Sequence, residues 1–283
     1  MKPTKEQIKQ YYSQALARSL ELYGRLEEKE WGKKASDRWT ARDYLAHMVV
    51  TQEEMGNGLT SQTLAGKPAD LPGYRGREGI NEYNDERMAT ARGLSVAALL
   101  GRLKTAVEQH LSMLDGLGEA DLDKPVAHPG WDRPGTLRDL FFSSYLHLPG
   151  HYQDIRRVSK RKLPHWVEAS APDEVHFQMD RIFNFMPLIF RSDRGQDMQA
   201  TYLFTMEGQG GGQWAIQIAG GKAESLDGAP TSFDTEVKTK PELWIDLSTN
   251  DLNPMWAITT RKVQLGGNAG LAMKLGQLFQ VSP

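Results

Sequence analysis

Apolar residues recur at helical spacing through the first 160 or so residues of the chain and give way to alternation after about residue 171. Thr4-Lys5-Glu6-Gln7 places Thr at an N-cap and Gln three residues on, the reciprocal pattern of a capping box. Ile8, Tyr11, Tyr12, Ala15, Leu16, Leu20, Leu22, Tyr23 and Leu26 follow it, which predicts a first helix to about residue 29. Thr40-Ala41-Arg42-Asp43 opens a second helix, carrying Tyr44, Leu45, His47, Met48 and Met55 to about Gly56. Residues 56–79 are rich in Gly and Pro and read as a long crossover. The pattern resumes near Asn81, starts afresh at Ser95 with Val96, Leu99, Leu100, Leu103, Val107, Leu111 and Leu114, and stops at Gly116 and Gly118. Thr136-Leu137-Arg138-Asp139 then begins a fourth helix to about residue 160. Thr-x-Arg-Asp thus opens both the second and the fourth helix, either as two similar N-caps or as an internal pseudo-repeat.

Beyond residue 171 the texture is that of an α/β unit. Val175 to Phe190 forms one apolar helix, with Phe177, Ile182, Phe185, Met186 and Ile189 on its buried side. Gln199–Met206 and Gln213–Ile218 alternate about Glu207-Gly208-Gln209-Gly210-Gly211-Gly212, a hairpin signature. A strand over Ser232–Thr239, short helices near 240–247 and 253–260, a strand near 261–265 and a helix over 268–279 complete the set. The fold class is α plus α/β in two domains, residues 1–165 and 166–283, with the boundary in the Pro-flanked stretch Lys160–Pro172.

Length and composition agree with two globular cores: 283 residues, 39% hydrophobic and 25% charged. Residues 1–165 hold 25 Lys and Arg against 22 Asp and Glu; residues 166–283 hold 9 against 14. The second domain therefore repels anionic membrane surfaces, and nothing in the net charge of −2 suits nucleic acid. The absence of cysteine excludes disulfides, thiolate nucleophiles and cysteine metal sites, and fits a reducing compartment. Met1-Lys2-Pro3-Thr4-Lys5-Glu6 has charges where a signal peptide needs an apolar run, and no stretch is long enough for a membrane span. The expected location is cytoplasmic.

Three of the seven histidines stand apart from the rest. His147 and His151 are i and i+4, so their rings leave one helix face about 6 Å apart, the spacing by which one helix gives two imidazoles to one metal. His47 lies ~10 Å into its helix and the pair ~16–22 Å into theirs, at ~1.5 Å per residue. The sets meet only if the two helices run antiparallel. Pro149 and Gly150 lie between the paired histidines: the helix either breaks at Leu148 or kinks and re-aims His151. His110, near a helix C-terminus, is expected to stabilise that end of the dipole; His128 belongs to loop packing or a pocket mouth, and His165 and His176 are incidental.

Trp39-Thr40-Ala41-Arg42-Asp43-Tyr44-Leu45-Ala46-His47 resembles the second-helix motif of the DinB-like family. Leu146-His147-Leu148-Pro149-Gly150-His151-Tyr152-Gln153-Asp154-Ile155 is similar to that family's closing His-x-x-x-His motif, and the likeness covers about residues 5–160. It implies an up-down-down-up four-helix bundle with a divalent metal on His47, His147 and His151. Three neutral imidazoles leave a coordination position open, as catalytic sites do, and suit zinc or nickel. Asp43 and Asp154 are either acceptors that fix imidazole tautomers or simply a cap and a solvated surface residue. Part of the wider superfamily resembles thiol-dependent transferases and isomerases, among them mycothiol-dependent maleylpyruvate isomerase, which implies a low-molecular-weight thiol as cofactor. Their Arg-x-x-Glu-x-x-x-His run is not matched here, since Ser143 stands where Glu is wanted and Arg138 lies nine residues before His147. DinB-like bundles often pair, so a homodimer is implied as well.

Phe233-Asp234-Thr235-Glu236-Val237-Lys238-Thr239-Lys240-Pro241, Asp251-Leu252-Asn253-Pro254-Met255-Trp256-Ala257 and Arg261-Lys262-Val263-Gln264-Leu265-Gly266-Gly267-Asn268 resemble the sterol carrier protein type-two family over about residues 172–281. That resemblance implies a five-stranded sheet with packed helices around an apolar tunnel for acyl or sterol ligands. Phe183, Phe185, Met186, Ile189, Trp214, Met255, Trp256 and Met273 are candidate tunnel residues, though any core of this size requires such side chains. Three functions follow: a metal-dependent transferase, isomerase or hydrolase acting on a small or hydrophobic substrate; a carrier of acyl lipid whose bundle holds a structural metal; or a purely structural stress-response dimer.

Overall fold

The computed structural model describes residues 2–279. Its N-terminal region is helical. Helix α1 (Lys5–Tyr23) begins at the predicted Thr4–Gln7 capping box and buries Ile8, Tyr11, Tyr12, Ala15 and Leu16. It ends at Gly24, before the expected residue 29, and a separate one-turn helix follows at Glu28–Trp31. Helix α2 (Ala41–Thr51) does not stop at Gly56 either. It passes into a π turn over Gln52–Gly58 and resumes as α-helix over Leu59–Leu64, so the crossover starts later than its composition implies. Helix α3 (Val96–Asp115) is capped by Ser95, and helix α4 (Leu137–Arg156) runs unbroken through Pro149.

Helix α5 (Pro172–Phe185) leads into a short 3₁₀ turn, Met186–Ile189, because Pro187 cannot continue the ladder. This is where the expected single helix to Phe190 divides. Strands β1 (Ala200–Met206), β2 (Gly212–Ala219), β3 (Lys222–Leu226), β4 (Thr235–Thr239) and β5 (Gln264–Gly267) form one mixed sheet in the order β3-β2-β1-β4-β5. β1 pairs antiparallel with β2 (Phe204 opposite Trp214) and parallel with β4 (Phe204 opposite Val237). β3, which the patterning did not announce, adds to β2 with Ile216 opposite Ser225. Along β4, Thr235, Val237 and Thr239 are buried in strict alternation. Helices α6 (Pro241–Ser248) and α7 (Pro254–Thr259) and two one-turn helices, Ala269–Ala272 and Leu275–Leu278, complete the unit in place of one closing helix. Gly210 in the β1–β2 turn has φ +68°, and a Cβ there would stand 2.5 Å from that of Val175, so the hairpin rests directly on α5.

α5 serves two cores. Phe177, Phe185 and Leu188 pack with the helical region, whereas Val175, Met179, Phe183 and Met186 pack with the sheet. Tyr11 of α1 stacks on Phe177 with ring centres 4.4 Å apart, and Arg18 forms a two-pronged ion pair with the buried Glu174. On the far side of the crossover, Arg77 donates to the carbonyls of Ile189 and Phe190, both at 3.1 Å. The two regions are thus locked along α5 and the turn that follows it. Among the described residues, no helix is long and apolar enough to cross a membrane.

Candidate metal centre

α2 and α4 open in the same way, and that sets the phase of every histidine after them. Thr40 Oγ1 accepts from Asp43 N while the Asp43 carboxylate accepts from Thr40 N at 2.9 Å. Thr136 and Asp139 repeat the arrangement, with the return bond at 2.8 Å. The second Asp43 oxygen pairs with Arg92 at 3.0 Å. Asp43 therefore closes a cap and an ion pair and makes no bond to His47, contrary to the tautomer-fixing role considered for it. Asp154 does meet its histidine: its Oδ2 lies 2.8 Å from His151 Nδ1.

His47, His147 and His151 each present one ligand nitrogen, and these nitrogens lie within 4.8 Å of one another. Ring centres are 4.9 Å apart for His47 and His151, 5.6 Å for His147 and His151, and 6.1 Å for His47 and His147. Bonds of ~2.0–2.1 Å to one tetrahedral ion would bring such nitrogens to about 3.3 Å, a closure within reach of small ring rotations. The Nδ1 atoms are already engaged. That of His147 donates to Ser143 O at 2.9 Å, that of His151 to Asp154, and that of His47 contacts Thr51 Oγ1 at 3.3 Å. Nε2 is left on each ring, so the donor set fits a divalent cation. Burial holds the His147 pKa down to about 4, with His151 adding to the effect, and pushes His47 well below its ordinary value; both rings are neutral at pH 7.

The centre forms part of the wall of a cavity of about 600 Å³. Trp39, Tyr44, Gln52 and Ser144 face it from the helical region, and Ile182, Phe185, Met186 and Ile189 close it from α5 and the turn beyond. His128 also lines it, stacked on Trp131 at 4.7 Å, and burial together with the nearby His147 lowers its pKa to about 4. Gly150 lies on the wall with nothing within 4 Å of where a Cβ would stand.

The sequence profile of the DinB superfamily matches residues 11–155, slightly more than half of the chain. The chain belongs to the DinB superfamily. Its C-terminal part matches the SCP-2 sterol transfer family over residues 191–280. Among solved structures, mycothiol-dependent maleylpyruvate isomerase superposes with a TM-score of 0.57 at 11% identity, covering 86% of this chain and 88% of that one. A histidine-to-alanine mutant of that isomerase gives 0.56 at 12% identity over the same shares. At such identities the likeness establishes the fold alone. Peroxisomal multifunctional enzyme A of Dictyostelium discoideum is 36% identical over 70 residues, 24% of this chain and 16% of that protein, so this chain spans under a fifth of its length.

Within this DinB and SCP-2 fusion the candidate ligand-binding residues divide. Phe185 and Met186 line the cavity at the histidines. Trp214 stacks on Phe183 at 5.0 Å and donates to Asp180 at 3.0 Å, packed in the sheet core. Trp256 is 48% exposed beneath Lys262. A second cavity of about 260 Å³ is lined by Met186 and Met273, both among the candidates, and by Trp244, Leu247 and Ile258, which were not. The amphipathic run from Pro241 to Ser248 was the sequence signal for Trp244 and Leu247. His110 is no cationic dipole partner, because burial lowers its pKa to about 3 and leaves it neutral. His165 is buried, with Nε2 3.3 Å from Asp246 and in contact with Gln153, and His176 is exposed against Gly211 O. Arg138, the other residue weighed against the isomerase pattern, binds Pro3 O and Glu119 away from the centre.

Proposed function

We propose that this DinB-superfamily chain is a divalent-metal-dependent enzyme, a thiol-dependent transferase or isomerase or a hydrolase, acting on a small or hydrophobic substrate. One observation carries the proposal: three imidazole nitrogens within 4.8 Å converge on a cavity walled by both regions of the chain. His47, His147 and His151 would hold the ion, and zinc or nickel suits an all-imidazole set. Such an ion, with a position open, polarises an oxygen or sulfur atom that reaches it. The chain's own part is to orient and exclude. Ser143 O and Asp154 fix the Nδ1 protons of His147 and His151, and the apolar face of α5 keeps water from one side of the chamber. With no cysteine in the chain, a thiol nucleophile comes from a small molecule, in line with the thiol named for the superposed isomerase.

Metal analysis of untagged protein tests the proposal. About one zinc or nickel per chain in the wild type, lost in His47→Ala with the fold retained, is the expected result. A chain free of stoichiometric metal whose stability ignores both added zinc and His47→Ala ends it. The apolar second cavity favours a carrier reading, which predicts acyl lipid co-purifying with the protein regardless of metal.

A further inference from the structure

The two cavities meet at one residue. Met186 lines both the chamber that holds the histidines and the 260 Å³ cavity of the SCP-2 part. It sits where α5 gives way to the 3₁₀ turn, and its side chain is buried between the two spaces. Methionine is unbranched and rotates about three bonds, so it can swing aside where a β-branched or aromatic residue would hold its place.

The chemistry of the walls assigns the two ends. Among the described residues no ionisable side chain lines the second cavity; its wall includes Val237, Leu247, Ile258, Val263 and Leu265. It offers an alkyl chain a dry surface and a charged head no partner, and burying an unpartnered charge is costly. The first chamber is lined by the three histidines, Gln52 and Ser144 and, from α5 and the turn beyond it, by Ile182, Phe185 and Ile189. We infer that the two spaces take a single amphiphile: a metal-ligating head at His47, His147 and His151, and an unbranched acyl or alkyl tail that passes Met186 into the second cavity. This rests on the metal reading above and narrows its substrate class to long-chain compounds.

The test is calorimetry of the zinc-loaded full chain with n-alkyl hydroxamates, from acetohydroxamate to dodecanohydroxamate. Each added methylene should tighten binding about fourfold, the worth of one buried CH₂, and the gain should continue past the length that fills the first chamber. Met186→Trp bars the doorway. Gly276→Leu adds bulk at a residue that lines the second cavity, where an added Cβ meets nothing within 4 Å, and decides the matter if the tryptophan variant misfolds. Both should lose the gain for long tails, each measured against its own affinity for acetohydroxamate. Chain-length dependence unchanged in Gly276→Leu, or persisting without zinc in His47→Ala, overturns the inference and leaves the metal reading intact. Zinc-loaded protein that fails to bind acetohydroxamate overturns both.

Discussion

Arg157, one residue past α4, donates from Nε to Asp251 Oδ1 across 2.6 Å. The same guanidinium reaches Asp154 Oδ1 at 2.7 Å, and the other Asp154 oxygen sits 2.8 Å from His151 Nδ1. A carboxylate of the SCP-2 part is therefore tied, through a cation and a second carboxylate, to one of the three converging imidazoles. Arg157 also bonds the carbonyl of Thr249, which anchors the guanidinium against the second region. Orientation of the histidine depends on how the two regions are docked.

The first prediction follows from that chain. Asp154→Asn should weaken zinc binding about 10- to 100-fold, the usual effect of losing the group that orients a ligating histidine. Asp251→Asn should weaken it less, because the Asp154–Arg157 pair survives, yet measurably, although residue 251 touches no ligand. Competition with a chromophoric chelator at fixed pH reads both. Unchanged zinc affinity in Asp251→Asn would show that the second region has no hold on the centre.

Much of this was legible in the chain because it is encoded locally. Thr40 with Asp43 and Thr136 with Asp139 set helix starts by short-range hydrogen bonds, and the start sets the face on which His47, His147 and His151 emerge. The i, i+4 pair survived its intervening proline because Tyr145, Leu148 and Tyr152 are all buried on α4, and that packing outweighs the lost N–H. What stayed illegible is set by contacts distant in sequence. Nothing in the run after Thr51 betrays a π turn, whose register leaves no compositional mark. Trp256 and Trp214 read alike in sequence to the Trp244 that lines the second cavity; only the packing of α5 and α6 on the sheet separates the three. Asp43 was claimed by Arg92, 49 residues away, before it could reach a histidine.

Two helical glycines on the cavity wall should respond to alanine with opposite sign. A Cβ on Gly56, in the π turn, would stand 2.4 Å from Gln52 Nε2 and 3.0 Å from Ser144 Oγ, and Gln52 is held by the Tyr12 hydroxyl and Asn57. Gly56→Ala should cost on the order of 1–3 kcal/mol, as overpacking does. A Cβ on Gly150 meets nothing, so Gly150→Ala should stabilise by up to about 1 kcal/mol through helix propensity alone. Urea unfolding of the metal-free proteins compares them; a stabilised Gly56→Ala would mean that the π turn relaxes at no cost.

His110 supplies a pH dependence separate from the centre. Gln52 Nε2 lies 3.1 Å from its Nδ1 and Thr60 Oγ1 lies 2.9 Å from its Nε2, while the Tyr12 hydroxyl donates to Gln52 Oε1 at 2.5 Å. With Gln52 Oε1 taken, its NH₂ faces Nδ1, which must therefore accept, and a proton placed there would confront a donor. Burial lowers the ring's pKa to about 3, whereas the unfolded chain protonates it near its ordinary value of 6.5. Between those values the unfolded state binds the extra proton, so this contribution is complete above pH 6.5 and is lost as the pH falls towards 3. By pH 5 the loss should be about 2 kcal/mol relative to pH 7.5, at ~1.4 kcal/mol per pH unit. Urea titrations of metal-free wild type and His110→Gln at the two pH values isolate it, since the other groups that titrate in this range are common to both proteins. The variant should be less stable at pH 7.5 and lose less on acidification. Parallel losses in the two proteins would mean that the buried ring is protonated in the native state and that the Tyr12–Gln52 bond does not dictate its tautomer.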